Sequence, residues 1–303
     1  MTKVKGPLLL AAAATIWGGM YVVSKFTFSA IPPMTLLFIR YLIAGVVLTA
    51  VCLVRREWRL SRRDIASLVQ IGVVGYFLSI SAQFIGTDLA DAHTGALITT
   101  LSPIFLSFFA VILLKEAITA KQAAALAIAT AGVFFIVGGP GRASGQTVGL
   151  LILLFAAASW GYYSAIAKKA AKFYTPLQMT TAGIWMATVL SFPFAAFQWQ
   201  TWDHGMLAEP SILLGILYLG IVSTAGAFFA WNRGLELTPS HHAGLYFFLQ
   251  PLTAALFGRL FLGESLGGGF WIGGLFIAGG VILSQWQKTN KPGVKEKKPH
   301  FTK

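Results

Sequence analysis

Uncharged apolar runs recur along the whole of this chain, and their recurrence limits the folds open to it. An α-helix of about 20 apolar residues, rising about 1.5 Å per residue, spans the hydrocarbon core of a bilayer. The first run, from Pro7 to Phe28, is long enough to do so. Proline, glycine and charged residues divide the chain into about ten such runs, here numbered spans 1 to 10: 7–28, 34–54, 65–86, 92–114, 121–138, 147–167, 176–197, 211–232, 240–262 and 269–287. The sequence therefore predicts an all-α membrane protein with about ten transmembrane helices.

The supply of charge supports a membrane environment. Charged residues make up 11% of the 303 residues, against about 25% in soluble domains. So few charges cannot cover a surface that faces water. We therefore expect the lipid bilayer to be the main partner of the outer surface.

The basic residues indicate orientation, not nucleic-acid binding. The formal net charge of +13 comes mostly from Lys and Arg in the short gaps between runs and in the C-terminal tail. A groove that follows nucleic-acid phosphates would collect them on one surface, so we expect no nucleic-acid partner. If the N-terminus is cytoplasmic, the basic gaps 55–63 and 168–172 are inside, whereas Arg142 is the single basic residue of the outside gaps. The positive-inside rule then predicts a multi-pass protein of the cell membrane with both termini cytoplasmic.

Scarce residue types recur at two fixed distances, which indicates an internal repeat. Three features recur 143 residues later: Trp17-Gly18 as Trp160-Gly161, Lys25 as Lys168, and Pro33 as Pro176. Three more recur 148 residues later: Pro103 as Pro251, Glu116 as Glu264, and Gly132 as Gly280.

These pairs predict two copies of a five-helix unit, residues 1–140 and 146–287, followed by a basic cytoplasmic tail, 288–303. Because five is an odd number, the second copy enters the membrane in the opposite orientation. Inverted repeats of this kind suit alternating access, since the two halves can exchange conformations.

Arg40 is the most informative charge inside a span. It lies about seven residues, or roughly 10 Å, below the outer end of span 2. A charge at that depth is costly unless it faces a cavity or a partner. Arg40 is therefore either a cation that holds a substrate carboxylate, or a structural tie to a broken helix or to an acid such as Asp88 or Asp91.

Aromatic residues form a stripe in each repeat. Trp17 and Tyr21 share one helical face with Lys25, and Trp160 repeats the stripe with Tyr163 beside it. Such rings can line a site for an amphipathic substrate, because they offer large apolar area with polar tips. Ordinary packing between helices is the alternative.

Two prolines interrupt spans at central depth. Pro103 and Pro251 fall in the middle of spans 4 and 9, where a proline removes a backbone hydrogen bond and kinks the helix. In membranes such breaks are tolerated where they line a cavity or act as a hinge. Polar or aromatic residues of the same depth are further candidates for the cavity: Tyr76, Gln83, Thr99, Tyr246 and Gln250.

No pattern indicates catalysis, a cofactor or a metal. The run 267–269 of three glycines lacks the Lys-Ser/Thr of a phosphate loop, and His241-His242 has no carboxylate at metal-ligand spacing. Cys52 is the single cysteine, so no disulfide can form within the chain and no cluster of cysteines can bind a metal. We therefore expect no catalytic residue, no metal and no cofactor.

The chain resembles the EamA family of the drug/metabolite transporter superfamily. The resemblance rests on Trp17-Gly18 to Lys25, on Phe38-Ile39-Arg40-Tyr41, and on Pro103 to Glu116 with Gly132. It covers both halves and implies two inverted repeats around a central cavity between span pairs 3–4 and 8–9, with export of amino acids or related metabolites. One departure is Gly183, which stands where the second repeat would place an Arg40. Asp88, Asp91 and His93 map onto no motif of the family.

We therefore expect a secondary transporter that exports small amphipathic metabolites, working as a monomer. The alternative is a membrane-embedded enzyme that acts on lipid-linked substrates. No Asp or Glu falls in the core of a span, so the sequence leaves proton coupling and uniport equally open.

Overall fold

A computed structural model gives the structure of residues 2–57, 63–114, 120–137, 144–237, 246–247 and 249–285, and the description is limited to these residues. They form helices and turns, without a β-strand in the described part. The spans have these bounds: Thr2–Phe28; Pro33–Val54; Ile65–Leu89; Ala92–Thr99 with Ser102–Leu114; Ala120–Val137; Ser144–Ala170; Pro176–Phe197; Pro210–Leu217 with Tyr218–Gly226 and Ala227–Leu237; Leu249–Leu262; and Gly268–Gln285.

These helices confirm the predicted all-α membrane architecture. Seven of the described helices are long and apolar enough to cross a membrane by length and composition, and Leu249–Leu262 and Gly268–Gly280 are shorter apolar helices. Several sequence predictions fall outside the described residues, namely those on Glu116, Arg142, His241, His242 and the tail 288–303. The face that holds residues 29–32, 90–91 and 198–209 is called the predicted outer face, and the opposite one the predicted inner face.

Prolines begin the equivalent spans 2 and 7. Pro33 and Pro176 are the first residues of their helices, where the missing N–H has no partner to lose. Thr175 adds a capping box, because its hydroxyl accepts the N–H of Gln178 while the Gln178 side chain accepts the N–H of Thr175. Local chemistry therefore fixes where these two spans begin.

Spans 3 and 8 each contain a wider π-helical segment, Ile71–Ser79 and Tyr218–Gly226. The two segments lie at equivalent places in the two repeats. A π-helix shifts the backbone bonding pattern and turns side chains away from the face that a regular helix would give them. In each segment a carbonyl accepts a side chain from another span: the hydroxyl of Tyr41 donates to Tyr76 O at 2.7 Å, and Nε1 of Trp17 donates to Ser223 O at 3.1 Å.

Span 4 is broken at Thr100 and Leu101, between its two helical segments. Pro103 is the second residue of the segment that follows, so it starts a helix and does not kink a continuous one. Pro251 is the third described residue of the helix Leu249–Leu262. Proline is well tolerated in a first helical turn. A hinge at these two points stays a prediction.

Close contacts at glycine obey the same symmetry. A side-chain carbon at Gly18 would lie 2.6 Å from the carbonyl O of Gln250, and one at its counterpart Gly161 would lie 2.5 Å from Cβ of Phe105. Span 1 therefore packs on span 9 as span 6 packs on span 4. Gly132 and Gly280 bring spans 5 and 10 equally close, with distances of 2.7 Å to a backbone O at each. The fold thus consists of two inverted five-helix repeats.

Candidate functional site

A cavity of about 40 Å³ lies where the two repeats meet. Its wall is built from spans 1, 2, 3, 4, 6, 8 and 9. The predicted site residues in this wall are Trp17, Tyr21, Arg40, Gln83, Thr99, Trp160 and Gln250. The space holds roughly three water molecules, which is less than an amino acid needs. The cavity must therefore widen before it can hold such a substrate.

Arg40 is the charged group of this wall. It is 1% exposed, and its Nε and Nη2 both donate to Oγ1 of Thr224, at 2.9 and 2.6 Å. Nη1 lies 3.4 Å from Sδ of Met20, and the guanidinium stands over the ring of Phe84 at 4.9 Å. None of the described acids forms an ion pair with Arg40. The positive charge is therefore held by neutral groups alone.

Three polar residues from three spans form a network on the same wall. Tyr21 on span 1 shares a hydrogen bond with Thr99 on span 4, and Nε2 of Gln83 on span 3 donates to the Tyr21 hydroxyl. Thr99 is the last residue before the break in span 4. All three side chains are buried. The break thus brings polar groups together at mid-span, as its position near Pro103 predicts.

The same cavity is also lined by aromatic rings. Trp17 and Trp160, which are equivalent residues of the two repeats, meet edge to face with ring centroids 6.5 Å apart. Contact between equivalent residues places them near the pseudo-two-fold axis. The ring of Phe228 meets Trp17 edge to face and that of Phe247 stacks on it, with centroids 5.3 and 6.2 Å away. The lining of the cavity is therefore amphipathic, because it combines a cation and hydroxyls with aromatic rings.

The structure places three predicted residues away from the cavity. Tyr76 is fully buried, and its hydroxyl lies 3.3 Å from those of both Tyr163 and Thr180. Tyr163 meets Tyr76 edge to face, with ring centroids 5.4 Å apart. Tyr246 is half-buried beside Phe247 and packs against the main apolar cluster. These side chains do not line the central cavity.

Tyr76 instead separates the central cavity from a second one. Its ring contacts Trp160 and Phe228, which line the central cavity. Its hydroxyl contacts Thr180, which lines a cavity of about 190 Å³ at the predicted inner face. The wall of that second cavity also contains Arg55, Glu57, Thr175, Arg233 and apolar residues. Tyr76 therefore lies between the two cavities.

The position of Tyr76 explains why Gly183 stands where the second repeat would place an arginine. A side-chain carbon at Gly183 would lie 2.5 Å from the ring of Tyr76. In the first repeat the equivalent Arg40 instead reaches across to Thr224, which is 148 residues after Tyr76. One contact between the repeats thus combines a long residue on span 2 with a small one on span 8, and the equivalent contact combines the smallest residue on span 7 with a tyrosine on span 3.

Sequence reasoning missed the partner that holds Arg40. Thr224 lies in the π-helical segment of span 8, and its own hydroxyl donates to Leu219 O at 2.6 Å. Phe228 and Phe247 were also missed, because nothing in their own half marks them out. Thr224 lies 148 residues after Tyr76, so the repeat in the sequence could have identified Thr224 as a candidate.

Comparisons with known proteins agree with this architecture. The profile of the EamA-like transporter family matches residues 4–138 and 147–286. An S-adenosylmethionine/S-adenosylhomocysteine transporter of Chlamydia trachomatis serovar L2 is 28% identical over 91% of this chain and 86% of that protein. The uncharacterized transporter YetK of Bacillus subtilis is 25% identical over 95% of this chain and 90% of its own. A solved crystal structure aligns with 92% of this chain and 95% of its own at 22% identity, with a TM-score of 0.64, and supports the fold.

Proposed function

We propose that this chain, which belongs to the EamA-like transporter family of the drug/metabolite transporter superfamily, exports amino acids or similar small amphipathic metabolites. The family assignment makes the chain a multi-pass membrane transporter of small molecules. Because its relatives are transporters, the alternative of a membrane-embedded enzyme is wrong. The substrate class and the direction of transport are the proposed part.

The uncompensated charge of Arg40 carries this proposal. A buried cation is costly unless an anion or a set of strong acceptors surrounds it. Here a single hydroxyl, that of Thr224, accepts two of the N–H groups of Arg40. A substrate carboxylate would supply the missing negative charge and could accept two parallel hydrogen bonds from the guanidinium.

The remaining walls suit the rest of an amphipathic metabolite. The hydroxyls of Tyr21 and Thr99 can exchange hydrogen bonds with an amino group, while Trp17 and Trp160 offer faces to an apolar, aromatic or cationic part. The Chlamydia relative named for S-adenosylmethionine supports this reading, because that compound joins an amino-acid head to an adenosyl group. Once the cavity widens, the amino-acid head could contact Arg40 and the hydroxyls, and the adenosyl group could contact the tryptophan rings.

Alternating access fits the two cavities and the ring of Tyr76 that lies between them. The predicted inner cavity is larger than the central one, about 190 against 40 Å³. Movement of Tyr76 away from Thr180 would join the two. Since a single chain supplies the whole lining, we propose that the monomer transports.

The test is flux in proteoliposomes that contain the purified protein. The panel includes amino acids, their amides, S-adenosylmethionine and S-adenosylhomocysteine, with and without a pH gradient. Arg40→Gln is expected to weaken transport of carboxylates by roughly 10- to 150-fold, the value of a charge-assisted hydrogen bond of about 1.5–3 kcal/mol. The amides should change little. Arg40→Lys should restore part of the loss, because an ammonium lacks the guanidinium fork.

Arg259→Gln is the matched control, since it removes a charge from an exposed position on span 9. It is expected to transport like the parent. If Arg40→Gln lowers the flux of carboxylates and amides alike, together with the melting temperature in detergent, Arg40 is structural and the proposed carboxylate site is wrong.

A further inference from the structure

A buried pair joins the two repeats at the predicted outer face. Nδ1 of His93, at the start of span 4, lies 2.6 Å from Oε2 of Glu264, in the connection between spans 9 and 10. Their side chains are 4% and 8% exposed. Glu264 also accepts the backbone N–H of Ala92 at 2.7 Å and that of His93 at 3.3 Å. A carboxylate of one repeat thus caps a helix of the other, where the N–H groups and the helix dipole favour negative charge.

The residues around the pair favour this contact. Asp91 holds the N-cap position of the helix, yet its side chain makes no capping bond, so that function falls to Glu264. Gly263 precedes Glu264 at φ +66°, a conformation that glycine adopts without strain. Phe270 covers the imidazole edge to face, with ring centroids 4.8 Å apart. His93 is six residues before Thr99, so the pair lies about 9 Å along the same helix from the central cavity.

Other charged groups near the pair come from the elements packed around it. Asp91 lies on the same helix end, Asp88 on the end of span 3, Lys25 on span 1 and Arg259 on span 9. Lys25 donates to the carbonyl O of Asp88. None of these four forms an ion pair with His93 or Glu264 in the described part of the chain. The described residues of spans 6 and 10 that face this end carry no ionisable group.

We propose that His93 and Glu264 form a proton-binding site that holds the predicted outer face closed, an inference that rests on the alternating access proposed above. The pair bridges the two repeats, so it exists only while they are together at this face. Opening would expose both side chains to water and remove the cap from span 4. The sequence carries the same two residue types at the equivalent positions, His241 and Glu116, which lie outside the described residues.

The chemistry gives the sign of the pH effect. Burial raises the pKa of the Glu264 carboxyl, but the hydrogen bonds from His93 and the Ala92 N–H outweigh it and leave the pKa below its ordinary value. The ionised carboxylate of Glu264 therefore stabilises the closed form near neutral pH, and this stabilisation is lost only as the pH falls through the lowered pKa. Histidine, by contrast, is the residue type whose charge most readily changes near neutral pH. A protonated His93 would form an ion pair with Glu264 and a neutral one only a hydrogen bond, so acid favours the closed face and alkali favours opening.

The experiment measures opening directly and without substrate. Ser102, in the cavity wall, is replaced by cysteine in a Cys52→Ser background. A membrane-impermeant thiol reagent is then applied from the predicted outer face at about pH 6 and about pH 8. His93→Asn serves as the reference, because an amide can donate one hydrogen bond to Glu264 but cannot bind a proton. The ratio of the parent rate to the His93→Asn rate cancels the ionisation of the reporter thiol. This ratio is expected to rise roughly five- to tenfold from pH 6 to pH 8.

Two further variants complete the test. Glu264→Gln is expected to label faster than the parent at pH 6, because the ion pair is lost. His204→Asn changes an exposed histidine of the same face and is expected to label like the parent. Melting temperatures, with full labelling after denaturation, show that each variant is folded and carries the reporter.

A ratio equal at the two pH values, or equal labelling of Glu264→Gln and the parent at pH 6, would overturn the proposal. So would an outer face that never labels. Because no substrate is present, these results do not depend on the Arg40 flux experiment, and either proposal can fail while the other stands.

Discussion

Arg40 and Gly183 hold equivalent positions in the two repeats, yet each needs a different neighbour. Arg40 is long and reaches the hydroxyl of Thr224, whereas Gly183 leaves room for the ring of Tyr76. Arg40 and Thr224 thus place a buried cation in one contact between the repeats, and Gly183 and Tyr76 place an aromatic ring in the equivalent contact. A symmetric pair of repeats thereby encloses an asymmetric site.

This pairing of small and large residues can be tested by Gly183→Ala. The added carbon would lie 2.5 Å from the Tyr76 ring, so we expect a loss of about 1–3 kcal/mol in the free energy of unfolding, seen as a lower melting temperature in detergent. Gly279→Ala is the control, since no atom lies within 4 Å of that carbon and alanine favours a helix. In a Tyr76→Leu background the cost of Gly183→Ala should shrink. An equal cost in both backgrounds would show that the contact is not the cause.

At the scale of elements, the π-helical segments decide which groups reach the cavity. Ile71–Ser79 and Tyr218–Gly226 interrupt spans that a regular helical repeat would leave continuous. In span 8 the segment holds both Thr224, the partner of Arg40, and Ser223, whose carbonyl accepts Trp17. The broken span 4 does the same for Thr99. Irregular backbone is tolerated at this depth where it lines a cavity within the protein.

Thr224→Val tests the part that this element plays. Valine keeps the shape of threonine but leaves two buried N–H groups of Arg40 without an acceptor, so we expect the free energy of unfolding to fall by about 1–3 kcal/mol. Thr224→Ser keeps the hydroxyl and should lose much less. The measurement is thermal unfolding in detergent. Similar losses in both variants would point to the lost methyl contacts instead of the hydrogen bonds.

At the scale of the whole molecule, the pseudo-two-fold axis relates the two faces of the membrane. Contacts at Gly18 and Gly161 are equivalent, and so are those at Gly132 and Gly280. Any arrangement that closes one face therefore has a counterpart that closes the other. Alternating access then needs an exchange between two similar packings and no new fold.

Orientation is the prediction that belongs to this scale. The bias of Lys and Arg predicts that both termini are cytoplasmic, that Lys172 faces the cytoplasm, and that Asp203 is external. In a Cys52→Ser background, an impermeant thiol reagent on intact cells should label Asp203→Cys and not Lys172→Cys. Both side chains are exposed, so access alone does not distinguish them. Labelling at 172 with protection at 203 would reverse the orientation and exchange the inner and outer faces throughout.

The sequence by itself determined the architecture. The length of the apolar runs follows from the thickness of the bilayer, and the inversion follows from an odd number of helices in each copy. Helical spacing placed Trp17 and Tyr21 on one face, and equal depth added Gln83 and Thr99 to the same site. These are local properties, which periodicity along the chain records directly.

Only the tertiary structure decided the partners. Thr224 is 184 residues from Arg40, and Glu264 is 171 residues from His93, so no spacing along the chain brings either pair together. The π-helical segment also turns Thr224 out of the register that a period of about 3.6 residues would give it. Tyr76 likewise lies outside the central cavity, because its ring occupies the space beside Gly183 that a larger residue at 183 would fill. Depth and helical face can be read from a sequence, whereas which side chains meet depends on how distant helices pack.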